Sequence, residues 1–390
     1  MNSPSSKISD ADLGERLRLA RETGKFTQAA AASAVGVART TLLAIEQGQR
    51  AIKLKELQNL AKLYGTSVNT LLRQEAVHVD LVPRFRKLTG DDDPSVEAAA
   101  RTLNDFVRAE VELENVLGLK RLPNYPPEKQ ILPGNVRAQA EQDSQELRHW
   151  LGLGLSPIQD VLSLIELQLG IRTYVHPLGG KISGLFAFDD TVGACMLINA
   201  SHRRDRRAQS IAHELGHFTA TRRRPEVLHD SPLPNSRDER YADSFGRSFM
   251  APARAVMQKF QEVTAGAPNL SRRHVIILAH YFGISREALV RRLEELELAK
   301  QGTWDWFLDN GGISDEQARQ VLGDRGAGLD HEELGTGPVS LRLGSLAVEA
   351  LDRGLMSEGQ IARLLQLDRI AVRQLQEQAA GDDASYGPPL

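Results

Sequence analysis

The sequence predicts a multidomain, mainly α protein: an all-α bundle at the N-terminus, an α+β core with a small sheet in the middle, and a helical module at the C-terminus. Three observations predict it. Apolar residues recur at helical spacing from Leu13 to Leu375, whereas the clearest strands are two runs, Lys181 to Phe188 and Ala194 to Ile198. At 390 residues the expectation is two or three domains, and a hydrophobic content of 41% can fill a core in each. Breaks at Gly90-Asp91-Asp92-Asp93-Pro94 and Leu122-Pro123-Asn124-Tyr125-Pro126-Pro127 divide the chain. The single cysteine excludes an internal disulfide, and Cys195, inside an apolar strand, reads as a buried core residue. No run approaches the roughly eighteen apolar residues of a membrane span, and the start, with Ser3-Pro4-Ser5-Ser6, lacks a signal-peptide core. The chain is therefore expected in the cytoplasm, away from membranes.

The first helix is read over Leu13 to Arg21 from its apolar stripe, and Thr27-Gln28 opens a second that stops at Val35-Gly36-Val37. A third begins near Ala38, polar at its front and apolar at Leu42 and Ile45, and ends over Glu46-Gln47-Gly48-Gln49-Arg50. Two short helices about a turn, the second with a polar leading edge, have the geometry of a helix-turn-helix. From Asp12 to Arg73 ten Lys or Arg stand against five Asp or Glu, in a chain whose formal charge is −3. That local excess suits attraction to phosphate. The segment through Leu72 resembles the XRE, or phage-repressor-like, helix-turn-helix family, including Glu46-x-Gly48 and the closing Thr66-Ser67-Val68 helix start. The resemblance implies binding to double-stranded DNA, with Gln28 and Arg50 meeting phosphates and Arg39, Thr40 and Thr41 facing base edges in the major groove. One module binds weakly, so a homodimer is expected at a specific operator. The alternative is a small helical module used for protein contacts.

Gly90-Asp91-Asp92-Asp93-Pro94 starts a helix, with acids in its first turn, that runs towards Leu117 as a spacer or dimer stalk. Ser156-x-x-Gln159, with Pro157 between, reads as a capping box at a helix start. The Lys181 to Phe188 strand contains a glycine break and is either a cleft strand that pairs with a substrate backbone or an ordinary edge strand.

His213-Glu214-Leu215-Gly216-His217 carries the chemistry. On a helix, residues four apart lie about 40° from eclipsed, so both imidazoles can face one zinc ion while Glu214 serves as general base towards the attacking water. Ile211, Leu215 and Phe218 form the stripe that buries, with the two histidines pointing roughly the opposite way. A third ligand is available in Glu239-Arg240-Tyr241-Ala242-Asp243. Glu239 and Asp243 are four apart on a helix whose other face carries Ala242, Phe245 and Phe249 and which ends at Pro252. Glu239 can bind the metal while Asp243 holds an imidazole by its second nitrogen.

HELGHF followed by ERYADSFGRSFMAP resembles the ImmA/IrrE family of bacterial zinc metallopeptidases, and the likeness extends to Ser156-Pro157-Ile158-Gln159, to Gly170-Ile171-Arg172 entering a strand, and to the strand before the zinc helix. It implies a zincin-like core with one zinc ion per chain, His213, His217 and Glu239 as ligands and Glu214 as catalytic base. Asp243 stands where Asn is commoner, and Ala251 separates Met250 from Pro252; neither departure removes a catalytic group. For a donor to the anionic intermediate, His229 in the loop between the two helices, Tyr241, and Arg222, Arg223 and Arg224 read as solvated or packed side chains and stay outside the catalytic set.

The expected organisation is a flexible tail over 1–11, the helix-turn-helix domain over 12–75, a linker with a helix over 76–127, the peptidase domain with a trailing helix pair over 128–300, and a helical module with a flexible tail over 301–390. The trailing pair, Val275 to Ser285 and Leu289 to Leu296, is expected to pack against the core, with His280 structural. In the last module Ser357-x-x-Gln360 is a capping box between helical runs, and Ala379 to Leu390 is expected to be disordered. Together these features suggest a DNA-binding regulatory zinc endopeptidase that cleaves a repressor or antitoxin to control stress, prophage or mobile-element genes. The competing reading is a transcription regulator or antitoxin whose metal-binding fold serves sensing or dimerisation with little proteolysis.

Overall fold

Thr27 and Gly36 punctuate the N-terminal bundle. The Thr27 hydroxyl accepts from the Ala30 amide and starts a helix that Gly36, at a φ of 74°, ends in the left-handed region. In this computed structural model residues 9–66, 68, 71, 81, 82, 85, 94–119, 121–179, 181–229, 236–323 and 340–380 are described. They fall into two compact units, Met1–His78 and Val79–Leu390.

The first unit holds α1 (Asp10–Thr23), α2 (Gln28–Val35), α3 (Arg39–Glu46) and α4 (Leu54–Leu63). Leu13, Leu17, Leu42, Ile45 and Leu60 make its core. The Arg21 guanidinium donates to the buried Glu46 carboxylate at 2.7 Å, tying α1 to the end of α3. Of the expected Thr66-Ser67-Val68 helix start, Val68 is helical and Ser67 lies outside the described residues.

In the second unit a four-stranded sheet runs in the order β1-β3-β2-β4, from β1 (Arg172–His176), β2 (Ile182–Asp189), β3 (Gly193–Asn199) and β4 (Glu226–His229). β1 pairs with β3 in parallel, and β2 is antiparallel to both its neighbours. Thus β2 is an interior strand and not an edge. The edges are β1 and β4, and β4 lies in the stretch read as a loop, so His229 ends a strand; four residues are too few for a period-2 pattern to show.

Helices cover both faces of the sheet. On one face Phe186, Met196 and Ile198 share a core with Ile211, Leu215 and Phe218 of α8 (Arg204–Ala220). On the other lies α5 (Pro94–Leu117), whose Phe106 stacks on Tyr174 with centroids 5.3 Å apart. Burial on both sides explains why β2 and β3 are continuous apolar runs without alternation. It also rules out α5 as a free spacer or stalk. Its Glu110 and Glu114 sit in a buried ionic cluster with Arg172 of β1, Arg121, and Arg342 of a C-terminal helix.

Helix α6 (Val136–Trp150) precedes the segment expected to open a helix at Ser156. That segment is not helical: Arg148 donates to the carbonyls of Gly154 and Ser156, holding it around the guanidinium. The helix α7 (Val161–Leu164) starts later, capped by the Asp160 carboxylate on the Ser163 amide, and continues as a π-turn over Ile165–Leu169.

After α9 (Arg237–Met250) come α10 (Ala253–Thr264), the packed pair α11 (Arg272–Phe282) and α12 (Arg286–Glu295), then α13 (Thr303–Asp309) and α14 (Asp315–Leu322). Phe307, Ile313 and Ala318 enter the same core as the α8 stripe, so this stretch packs with the middle of the chain. His280 is exposed, not packed. Three further helices, α15 (Leu341–Asp352), α16 (Glu358–Leu364) and α17 (Arg369–Ala380), follow, with α15 against α5 and α16 opened by the Ser357–Gln360 capping box. Ala379 and Ala380 belong to α17, and the rest of the expected tail lies outside the described residues. Cys195 is buried. Among the described residues no single helix is long and apolar enough to cross a membrane.

Candidate metal centre

The centre forms where α8 and α9 touch backbone to backbone. A Cβ on Gly216 would stand 2.8 Å from the Ala242 Cα, and one on Gly246 3.0 Å from the Ala212 carbonyl carbon. Only glycine permits this approach, and it sinks the motif inside the protein. From Ser210 to Ala220 every residue of α8 is buried, with His213 5%, His217 2% and Glu214 0% exposed. The apolar-in, polar-out helix anticipated from the stripe is therefore not what forms; the polar face is covered too.

Three ligand atoms converge. His213 Nε2 lies 3.1 Å from His217 Nε2 and 3.3 Å from Glu239 Oε2, while His217 Nε2 lies 3.6 Å from Glu239 Oε1. Donors on a tetrahedral ion with bonds of about 2.0–2.1 Å stand about 3.3 Å apart, so these spacings fit zinc. No other group of three His, Cys, Asp or Glu in the described residues meets the same proximity. The far nitrogens are held: His213 Nδ1 is 2.9 Å from Asp243 Oδ1, and His217 Nδ1 is 3.1 Å from the Thr221 hydroxyl. Both carboxylate oxygens of Glu214 are buried without a hydrogen-bond partner, an arrangement that a substrate or water in the site would complete.

The side chains of the centre perturb one another's ionisation. Burial pushes Glu214 up to about 8, with Glu226 and Glu239 adding to it against the pull of His213. Burial and Glu239 raise Glu226 on β4 to about 7. Burial disfavours a charged His213, but Asp243 and Glu239 outweigh it and lift it to about 10. His217 is driven well below its ordinary value by burial and then by His213. A divalent cation between the three ligands would relieve the crowded carboxylates.

The groups left out of the catalytic set have other partners. Tyr241 donates to Asp143 at 2.8 Å; Arg222 is buried over the Phe218 ring at 4.1 Å; Arg223 and Arg224 pair with Asp190 and Asp238. Of the DNA-contact candidates, Arg39 and Thr40 are exposed at the front of α3 and Thr41 is half-buried. Gln28 instead donates to Glu46 at 2.9 Å, and Arg50 pairs with Glu56 at 3.0 Å, so both are engaged inside the bundle. Thr221 and Glu226 went unremarked in the sequence. Thr221 had a signal, being four residues after His217 on the same helix face; Glu226, reaching the site from β4, had none.

Residues 167–294 match the family described as the IrrE N-terminal-like domain, and residues 12–74 match a helix-turn-helix domain family. The chain thus carries an XRE-like helix-turn-helix domain at its N-terminus and an IrrE-like peptidase domain after it. The cryptic phage CTXphi transcriptional repressor RstR of Vibrio cholerae is 32% identical over 96 residues, covering 24% of this chain and 78% of the repressor. The solved structure of ComR from Streptococcus suis aligns over 97% of both chains at 10% identity, with a TM-score of 0.17, too low to bear on this fold.

Proposed function

We propose that the chain is a DNA-binding regulatory zinc endopeptidase of the cytoplasm, which binds operators as a homodimer and cleaves a transcriptional repressor or antitoxin to control stress, prophage or mobile-element genes. One observation carries the enzymatic part: the convergence of His213, His217 and Glu239 beside a buried Glu214 carboxylate that has no partner of its own. One zinc ion per chain, when bound, would polarise the scissile carbonyl and acidify water. Glu214 takes the proton of the attacking water and delivers it to the leaving amine. Asp243 fixes the ring of His213 through Nδ1. The outer edge of β4, whose Glu226 comes within 4.0 Å of His217, offers main-chain groups to an extended peptide. At the other end, Arg39, Thr40 and Thr41 read base edges and the surrounding cations hold phosphates.

The likeness to a phage repressor favours a second reading, a regulator whose metal fold senses or dimerises with little proteolysis. Glu214→Gln separates the two. It removes the base and keeps the ligands, so the variant should retain zinc while an uncleaved repressor or antitoxin accumulates in cells. Unchanged control of the target promoter, with no protein accumulating, would leave the second reading standing.

A further inference from the structure

The two ligand histidines are held differently. His213 leans on a carboxylate, Asp243, and His217 on the hydroxyl of Thr221. We propose that Thr221 is the positioning residue of His217, fixing its tautomer and ring orientation so that Nε2 faces the metal; this rests on the zinc reading above.

His217 Nε2 faces Glu239 and His213 Nε2, which turns Nδ1 to the opposite side of the ring. An imidazole that ligates through Nε2 carries its proton on Nδ1 and needs an acceptor there. The Thr221 Oγ1 stands at 3.1 Å, buried. The nearby carboxylate, Glu226, is 4.0 Å away, beyond hydrogen-bond reach. Thr221 Oγ1 also lies 3.4 Å from the His217 carbonyl oxygen, to which it can send its own proton, leaving a lone pair for the imidazole. Its place is fixed twice: its amide donates to the His217 carbonyl at 2.8 Å where α8 ends, and β-branching restricts its side chain. A neutral hydroxyl draws on the Nδ1 proton less than a carboxylate does, so His217 is the less basic of the two imidazole ligands.

The test is a Zn2+ titration of the full-length chain, stripped of metal, against a chromophoric chelator. Thr221→Val removes the acceptor and keeps the shape. It should weaken zinc binding about 10- to 100-fold in a chain that still folds without metal, whereas Thr221→Ser should stay within about threefold of the unmodified chain. Undiminished affinity in Thr221→Val overturns the inference, as does an equal loss in the valine and serine variants. Should Thr221→Val not fold, nuclear magnetic resonance on the unmodified zinc-loaded chain decides: a slowly exchanging Nδ1 proton on His217 supports the assignment, and its absence overturns it. An unmodified chain that binds no zinc at all would sink the centre itself, a result distinct from zinc binding that ignores Thr221.

Discussion

Gly216 and Gly246 decide how closely the two motif helices meet, and through that distance whether His213, His217 and Glu239 can share one ion. The atoms that a Cβ would strike at Gly216 belong to the Ala242 backbone, which cannot swing aside as a side-chain tip can. Gly216→Ala should therefore force α8 and α9 apart. The expected loss is roughly 1–3 kcal/mol of unfolding free energy, read from the denaturant midpoint of the metal-free chain, together with weaker zinc binding. A midpoint equal to that of the unmodified chain would show that the contact is looser than these distances. At this scale the convergence of the candidate ligands was legible, because His213 and His217, like Glu239 and Asp243, stand four apart and helix geometry turns spacing into direction. The glycine contact was not legible: it depends on which turn of α9 faces which turn of α8, and no local pattern in either helix records that.

Among the elements, α5 differed most from its reading. Its apolar stripe predicted the helix but not what the stripe would cover, and a stripe alone cannot separate a stalk from a helix laid over a sheet. The sheet gave the complementary hint, since strands apolar on both faces require cover on both. At Ser156 a capping pattern lost to a long-range demand, the need of buried Arg148 for carbonyl acceptors. The ionic cluster beneath α5 carries its own prediction. Glu166, in the π-turn, is raised to about 7, chiefly by burial and further by Glu110, against hydrogen bonds from Ser340 and the Arg342 amide at the start of α15. Because its folded value lies above the unfolded one, near 4.5, its contribution is fully present below about pH 4.5 and is lost as pH rises to about 7. The change is on the order of 3 kcal/mol at most. Glu166→Gln should remove this slope from the pH dependence of stability between 4.5 and 7. An unaltered slope in equilibrium unfolding across that window would mean that Glu166 does not titrate there.

At the scale of the whole molecule, the proposed function joins a helix-turn-helix head to a candidate metal centre. The bundle concentrates cations in a chain of net negative charge, and several of them are already engaged: Arg18 with Glu15 and Glu22, Arg21 with Glu46, Arg50 with Glu56. Arg39, exposed at the front of α3, is differently placed, and this gives two variants of equal charge change with unlike outcomes. Arg39→Ala in the full chain should cost about 1–3 kcal/mol on an operator selected from random-sequence DNA and much less on unselected DNA, so discrimination falls. Arg50→Ala should act through the bundle instead. It frees Glu56, which also accepts the Lys53 amide at the start of α4, so thermal stability drops and both DNA affinities fall together. Titrations at several salt concentrations check both, because each lost phosphate contact lowers the slope of log affinity against log salt by about 0.9. A variant at Arg39 that lost affinity equally on both DNAs, with its slope reduced by that amount, would move Arg39 from the base edges to the phosphates.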